Sequence, residues 1–449
     1  MNNRDREERT SLRRTYTTFI LLAGMVVAGC QDQQIETSEE GPQLYVATDG
    51  NDDNAGTIEE PLLTLEEAAD RATAGTTVSI REGIYYEPLI IQHSGTEDQP
   101  IRFEAYEEEE VRLSGEQLED GLDDVAMIEI TGQSYVIIDG LEVENVTTEH
   151  EDKTVIGVLV NGPSAHVELS NLFIHDIATY EKDGNAHGIA VYGEEPITNI
   201  EITNNTLTDL KLGWSEALVV NGDVSDFLIA DNHVHHTNNI GIDVIGYEGI
   251  AADPDRDFAR NGVIRGNDVH HNSSYDNPSY GGDYSAGGIY VDGGSDILIE
   301  ENCVYQNDIG IEATSEHEGK FATNIKILNN DVYENVYTGI TIGGYDSERG
   351  GTTDSVISGN TLSGNDTKDL EGAQLLVQYY AYSNLVEQNK LTASQTGLFV
   401  SNENKENDDM QFNENEYVYD EEIRPRWIWR GEEVASPEDF QRLVDQTHP

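Results

Sequence analysis

"AGGIYVDGGSDILIEENCVYQNDIGIEATSEHEG", residues 286–319, says one phrase twice. Gly288, Ile289 and Tyr290 open the first copy, and Gly310, Ile311 and Glu312 open the second. Between them an apolar–polar alternation runs into Asn302. Alternation of period two predicts a strand, and the Gly, Asn and Asp clusters around it predict turns. The same phrase recurs on both sides, with Asn205, Asn232, Asn267, Asn302, Asn330, Asn360 and Asn389 each two residues before Val or Leu. The interval is roughly 27 to 35 residues, the range of solenoid repeats. One unit supplies two or three short strands, which cannot bury their apolar faces alone and must stack on their neighbours. Asparagine at one fixed point of each unit predicts a ladder of side-chain amides through a tight bend.

These repeats resemble the right-handed parallel β-helix of the pectate-lyase-like superfamily, whose coils often carry an Asn ladder. The expected fold is therefore an all-β solenoid with an N-terminal capping helix. Residues 44–89 resemble the opening of many secreted β-helix proteins that act on carbohydrate. There, Thr64 and Glu67 have the spacing of a capping box. Leu62, Leu65, Ala69 and Ala72 share one helical face, and Gly75 is the expected stop. Such a helix covers a strand edge that would otherwise aggregate. The β-helix is expected over residues 43–410, closed by a C-terminal capping segment, 411–449, with aromatic residues at 417–434.

Aligning the copies puts Leu159, Ala190, Val219, Asp243, Tyr290, Glu312, Thr341 and Leu376 in one column. Two residues on, the column reads Asn161, Tyr192, Asn221, Ile245, Asp292, Thr314, Gly343 and Gln378. The intervening Val244, Val291 and Ile342 are apolar and face the core, so alternation sends both columns outward. The small residues before Ile (Gly188, Ala217, Gly241, Gly288, Gly310 and Gly339) predict an outward groove. Coils stack about 4.8 Å apart, so the backbones of Asp243 and Glu312 are expected about 10 Å apart, with Asp292 about 8 Å from each. Two carboxyls about 6.5–9.5 Å apart suit an inverting glycosidase, and about 5–5.5 Å a retaining one.

Asp243, Asp292 and Glu312 are thus the candidate catalytic carboxylates, because clustered acids raise one another's pKa and a raised carboxyl suits a general acid. A glycan-binding face and an ordinary solvated surface are the competing readings. Candidate substrate contacts are Glu216, Tyr247, Arg260, Tyr290, Glu316, His317, Lys320 and Tyr345, on the central strands or the loops that follow them. A long loop over a groove is a common seat of function. The cations suit uronate, sulfate or hydroxyl groups, and the rings suit sugar faces. A lyase or epimerase acting on a uronate polymer, with His317 or Lys320 as base, is the alternative enzyme. The paired-aspartate and Gly-His-Gly motifs of polygalacturonases are absent, as are the calcium cluster of pectate lyases and the Arg and Lys motif of alginate lyases, so no family's site residues carry over.

Histidines at 233–236 and 270–271 lie beside the ladder, where alternation turns them to solvent, and no metal is assigned to them. Residues 49–54 and 253–257 are oxygen-rich without EF-hand spacing, which leaves Ca2+ open. No other cofactor is expected.

At the N-terminus, Arg4, Arg6, Arg9, Arg13 and Arg14 precede an apolar run and "VAGC", ending at Cys30. The run is too short for a mature membrane span. The pattern resembles the lipobox of bacterial lipoproteins, which implies a signal peptide over residues 1–29 and lipid on the Cys30 thiol. Gln31 follows, so the outer membrane or cell surface is the expected location, with residues 30–42 as a polar tether. Cys303 has no partner left for a disulfide and is expected to be a small buried filler. Lys and Arg total 25 against 87 Asp and Glu, a net charge of −62. Such a surface repels nucleic acid and anionic membranes and suits high salt. The expected partner is a polysaccharide, met by a monomer that touches membrane only through its lipid.

Overall fold

The computed structural model describes residues 41–107, 109–119 and 121–446. The expectations for the signal peptide, Cys30 and most of the tether lie outside them. From Gly41 onward the described residues form one right-handed parallel β-helix, most coils contributing three short strands, while in two coils the first two run on as Asn185–Thr203 and Leu218–Ala230. Every strand pairing is parallel except the last, between Arg426–Trp429 and Glu432–Val434.

The interior is built from aliphatic columns in strict register. Ile128, Val158, Ile189, Leu218, Ile242, Ile289, Ile311, Ile340 and Leu375 stack coil upon coil, all fully buried. Their period of two fixes which face of each strand turns inward, because a one-residue slip would bury the polar set instead. Losing one such side chain to Ala costs about 2–5 kcal/mol.

The Asn ladder runs as the repeats predict. Each Nδ2 from Asn205 to Asn389 donates to the next Asn Oδ1 at 2.9–3.0 Å, and the series continues to Asn415. The same Oδ1 accepts the neighbouring backbone N–H, so the bend leaves no buried donor unpaired. A second ladder, Asn272–Asn307–Asn335–Asn365, ends on Gln374 Oε1.

The column of small residues forms no outward groove: Gly241, Gly288, Gly310 and Gly339 lie against this second ladder, and Gly188 against Leu207 and Leu210. A methyl added at Gly288 would meet Val304 Cγ1 at 2.6 Å and Asn307 Nδ2 at 2.7 Å. Gly288, Gly310 and Gly339 stand near the starts of the strands Gly287–Asp292, Ile309–Thr314 and Thr338–Ile342, where the space beside them is already filled.

The N-terminal helix, Leu65–Arg71, buries Leu65, Ala68 and Ala69. Thr64 caps it by accepting from Glu67 N, but the reciprocal half of the capping box is missing: Glu67 binds Arg71, and Thr64 N donates to Asp52. The helix ends on Ala72, before Gly75. At the far end Trp427, Trp429 and Phe440 are buried, Trp427 stacking on Phe399 with ring centres 4.8 Å apart. Coil stacking runs on through Glu416–Val418, and the helix Pro437–Asp445 packs beside the last strands. Cys303 stands half-exposed on the outer face, 3.8 Å from the Tyr333 hydroxyl, because its strand neighbour Val304 takes the inward position. Among the described residues no helix is long and apolar enough to cross a membrane.

Candidate functional site

The column read from the repeats is a real rung-by-rung neighbourhood. Val219 pairs with Asp243, Asp243 with Tyr290, Tyr290 with Glu312 and Glu312 with Thr341. These side chains leave the interior, yet they do not reach open solvent. Asp243 is 2 % exposed, Asp292 4 % and Glu312 6 %. Glu248 and Tyr280, from residues 246–262 and 271–286, line one cleft with Asp243 and Asp292, and Glu316 lies against Asp292, so the reading as a solvated surface fails.

A cleft of about 450 Å³ opens between these loops and the strands. Its ionisable lining is Glu216, Asp243, Glu248, Asp292 and Glu316 with His187 and Tyr192, Tyr280, Tyr290 and Tyr345; no Lys or Arg lines it among the described residues. Burial pushes Glu216 up to about 8, helped by Glu248 and Glu316, and pushes Asp243 well above the carboxylate range, helped by Glu216 and Asp292, because neighbouring negative charges oppose joint ionisation. Asp292 is likewise raised by burial and by Glu316, although its Oδ1 accepts the Glu316 N–H at 2.6 Å. Asp243 Oδ1 and Asn221 Oδ1 are buried in the cleft lining without a hydrogen-bond donor.

His187 lies under this pair. Its Nδ1 is 3.1 Å from the Glu216 carbonyl and its Nε2 2.7 Å from the Tyr192 hydroxyl. Burial lowers His187 to about 4, so the ring is neutral at pH 7. A carbonyl only accepts, which puts the proton on Nδ1 and makes Tyr192 the donor to Nε2. At the other side Arg349 donates to the Tyr345 hydroxyl at 2.5 Å, and Tyr345 bonds Glu316. Trp214, 45 % exposed, forms the rim with Tyr280, their ring centres 5.1 Å apart.

Of the residues expected at the site, the cleft brings together Asp243, Asp292, Glu216, Tyr290, Glu316 and Tyr345. Glu312 does not line it; the carboxyl is buried and pushed up to about 8. Arg260 is not a free cation: its Nη2 is 2.7 Å from Asp223 Oδ1, and Arg256 holds the other oxygen. An acid left unpaired so deep would be costly, and both arginines satisfy it. Lys320 Nζ rests 4.6 Å from the Tyr247 ring centre, and His317 pairs with Glu248 at 3.3 Å; of these four only Glu248 lines the cleft.

Sequence reasoning passed over His187, Tyr192, Asn221, Glu248 and Tyr280. Tyr192 and Asn221 were in the second outward column, so their position was in hand; the loop that brings Tyr280 gave no periodic signal. Of the oxygen-rich loops, Asp52 accepts from Leu63 N and Thr64 N, and Asp257 from Gly249 N and Ala251 N. Those carboxylates serve as loop ties. Two groups among the described residues hold metal-ligating atoms within 4.8 Å of one another: His233, His235 and His270, and Glu142, Glu144 and His175.

Comparison with known proteins agrees with the fold. Residues 44–208 match the family model described as Pel9A-like, right handed beta helix region, and residues 256–353 match the right handed beta helix region. Among solved structures, the A-module of the mannuronan C-5 epimerase AlgE4 from Azotobacter vinelandii is 16% identical with a TM-score of 0.59, over 86% of this chain and 98% of that one. The GH136 lacto-N-biosidase from Eubacterium ramulus is 16% identical with a TM-score of 0.54, over 84% of this chain and 68% of that one. The protein YwoF of Bacillus subtilis (strain 168) is 47% identical over 431 residues, 95% of this chain and 92% of that protein. The chain therefore belongs to the family of right-handed β-helix proteins that includes YwoF.

Proposed function

We propose that the protein is a carbohydrate-active enzyme that hydrolyses a glycan in this cleft, with Glu216 and Asp243 as the working carboxyl pair. The carrying observation is that pair: two neighbours on the cleft wall, Asp243 buried and Glu216 partly so, both raised, Asp243 with an oxygen that lacks a donor. Such a pair titrates as a unit, and loss of its first proton leaves one acid and one base. Glu216 keeps 13 % of its side chain exposed, so it can meet the leaving oxygen as general acid. Asp243 and Asn221 accept from sugar hydroxyls or from the attacking water. Trp214 offers a flat face to a sugar ring. Asp292 shapes the field of the pair. Glu312, without a place in the cleft, acts only through Tyr290, its strand neighbour.

A cleft rich in carboxyls, with no Lys or Arg in its lining among the described residues, also bears on the substrate class. A uronate brings further negative charge to a lining that holds five acids, whereas a neutral glycan brings none. One observation favours a second reading, a lyase or epimerase: the Tyr192 hydroxyl and His187 form a ready proton path on the cleft floor. Lipid attachment at Cys30 and display at the cell surface belong to the same proposal.

The test is a polysaccharide panel incubated with the chain from Gln31 onward and with its Asp243→Asn and Glu216→Gln variants. Hydrolysis gives new reducing ends without unsaturated product, and each substitution lowers kcat by about 100-fold or more. Product absorbing in the near ultraviolet, retained in both variants and lost in Tyr192→Phe, would favour the second reading.

A further inference from the structure

Five imidazoles crowd two neighbouring coils on a sheet that does not line the cleft. The strand His233–His235 pairs with Asp268–His270, setting His233 beside Asp268 and His235 beside His270. Stacking accounts for one column, in which His235, His270, Tyr305 and Tyr333 overlap with interplanar angles of 8°, 24° and 4°. It does not account for His233. That ring belongs to the adjacent column, yet its Nε2 lies 2.8 Å from Nε2 of His270. One nitrogen from each of His233, His235 and His270 falls within 4.8 Å of the other two. Asp268 Oδ2 is 3.9 Å from His233 Nε2, and Asp268 Oδ1 is buried without a hydrogen-bond partner.

We propose that His233, His235 and His270 bind one divalent late transition-metal ion of the zinc class, with Asp268 as the fourth ligand. Neutral imidazoles suit Zn2+, Ni2+ or Cu2+, whereas Ca2+ and Mg2+ take oxygen. Zn–N bonds of about 2.0–2.1 Å set tetrahedral ligand nitrogens about 3.3–3.4 Å apart. The His233–His270 contact reaches that by opening about half an ångström, a side-chain torsion rather than a backbone change.

The opposite ring nitrogens already have partners. His270 Nδ1 lies 2.6 Å from His271 Nδ1, and His235 Nδ1 lies 3.0 Å from Thr208 Oγ1. Such outer partners orient ligating histidines and leave Nε2 for the ion. The two coils it joins are those whose next strands carry Asp243 and Asp292, so the ion acts as a clip across the part of the solenoid that bears the cleft.

Cobalt tests this directly, because its visible spectrum reports imidazole coordination. The full chain is stripped with chelator and titrated with Co2+, and separately with Zn2+ in a calorimeter. One ion per chain is expected, with affinity weakened at least about tenfold in His233→Ala and in His270→Ala. Excess Ca2+ does not compete. Added Zn2+ raises Tm in the native chain and not in either variant. His233 is half-exposed, so its variant folds even where loss of His270 disturbs the stack. The proposal is overturned by absence of stoichiometric binding, or by binding that both variants retain. It is also overturned if His175→Ala, at the group with Glu142 and Glu144, removes binding while His233→Ala keeps it.

Discussion

Glu312 shares a column with Asp243, one rung beyond Tyr290, and both are buried acids, yet only Asp243 meets the cleft. Its ordinary value of 4.5 rises to about 8 in the folded chain through burial and the nearby Glu316. Between those pH values the folded form holds a proton that the unfolded chain has released, so stability falls as pH rises through this window. Glu312→Gln removes the dependence, and the variant is expected to be more stable at pH 8 by about 4 kcal/mol and nearly unchanged at pH 4. Denaturant melts at the two pH values measure this; equal slopes in variant and parent would refute it. Glu216 makes the matching prediction for activity. As general acid with a value of about 8, it sets an alkaline limb, so kcat/KM falls tenfold per unit above about pH 8. What the sequence disclosed at this scale was position. Period two put Asp243, Tyr290 and Glu312 in one outward column, and register bore that out. Burial was illegible, since it involves loops with no periodicity of their own. Arg260 shows the same limit, because Asp223, its partner, lies a coil away.

Residues 271–286 form one of those loops, and a single carboxylate holds both of its ends. Asp308 Oδ2 accepts from Ser274 N at 2.7 Å and from Ala286 N at 3.1 Å, and its Oδ1 accepts from Ser273 Oγ at 2.6 Å. Further out, Asn277 Nδ2 donates to the Gly213 and Asn238 carbonyls, which draws Tyr280 against Trp214. Asp308→Ala is expected to free the loop, raise KM about tenfold and leave Tm lower by a few degrees. A variant with native KM would show that the loop has no part in binding. The strands themselves were readable, as was the first ladder. The second ladder was equally present, in Asn267 and Asn272, Asn302 and Asn307, Asn330 and Asn335, Asn360 and Asn365, each pair spaced by five. It also explains Gly241, Gly288, Gly310 and Gly339, which sit where its amides leave no room for a methyl group.

Over the whole molecule, a net charge of −62 sets the response to salt. Exposed carboxylates repel one another across about 30 Å at 10 mM salt and about 3 Å at 1 M. Tm is therefore expected to climb steeply between those concentrations, and neutral osmolyte at matched osmolality should not reproduce the climb. The parallel pairing has a further consequence. Each rung joins a residue to one about a coil away, as Gln43 to Thr77 at the start and Leu376 to Ser401 near the end. A chain leaving the ribosome therefore meets a finished template as each coil emerges, and growth is by addition to an edge. Among the described residues, the antiparallel turn of Glu432–Val434 onto Arg426–Trp429, with Trp427 and Trp429 beneath and the helix Pro437–Asp445 beside it, ends that growth. A ribosome stalled before that turn releases a molecule whose last edge still accepts strands, and a second such molecule can supply them.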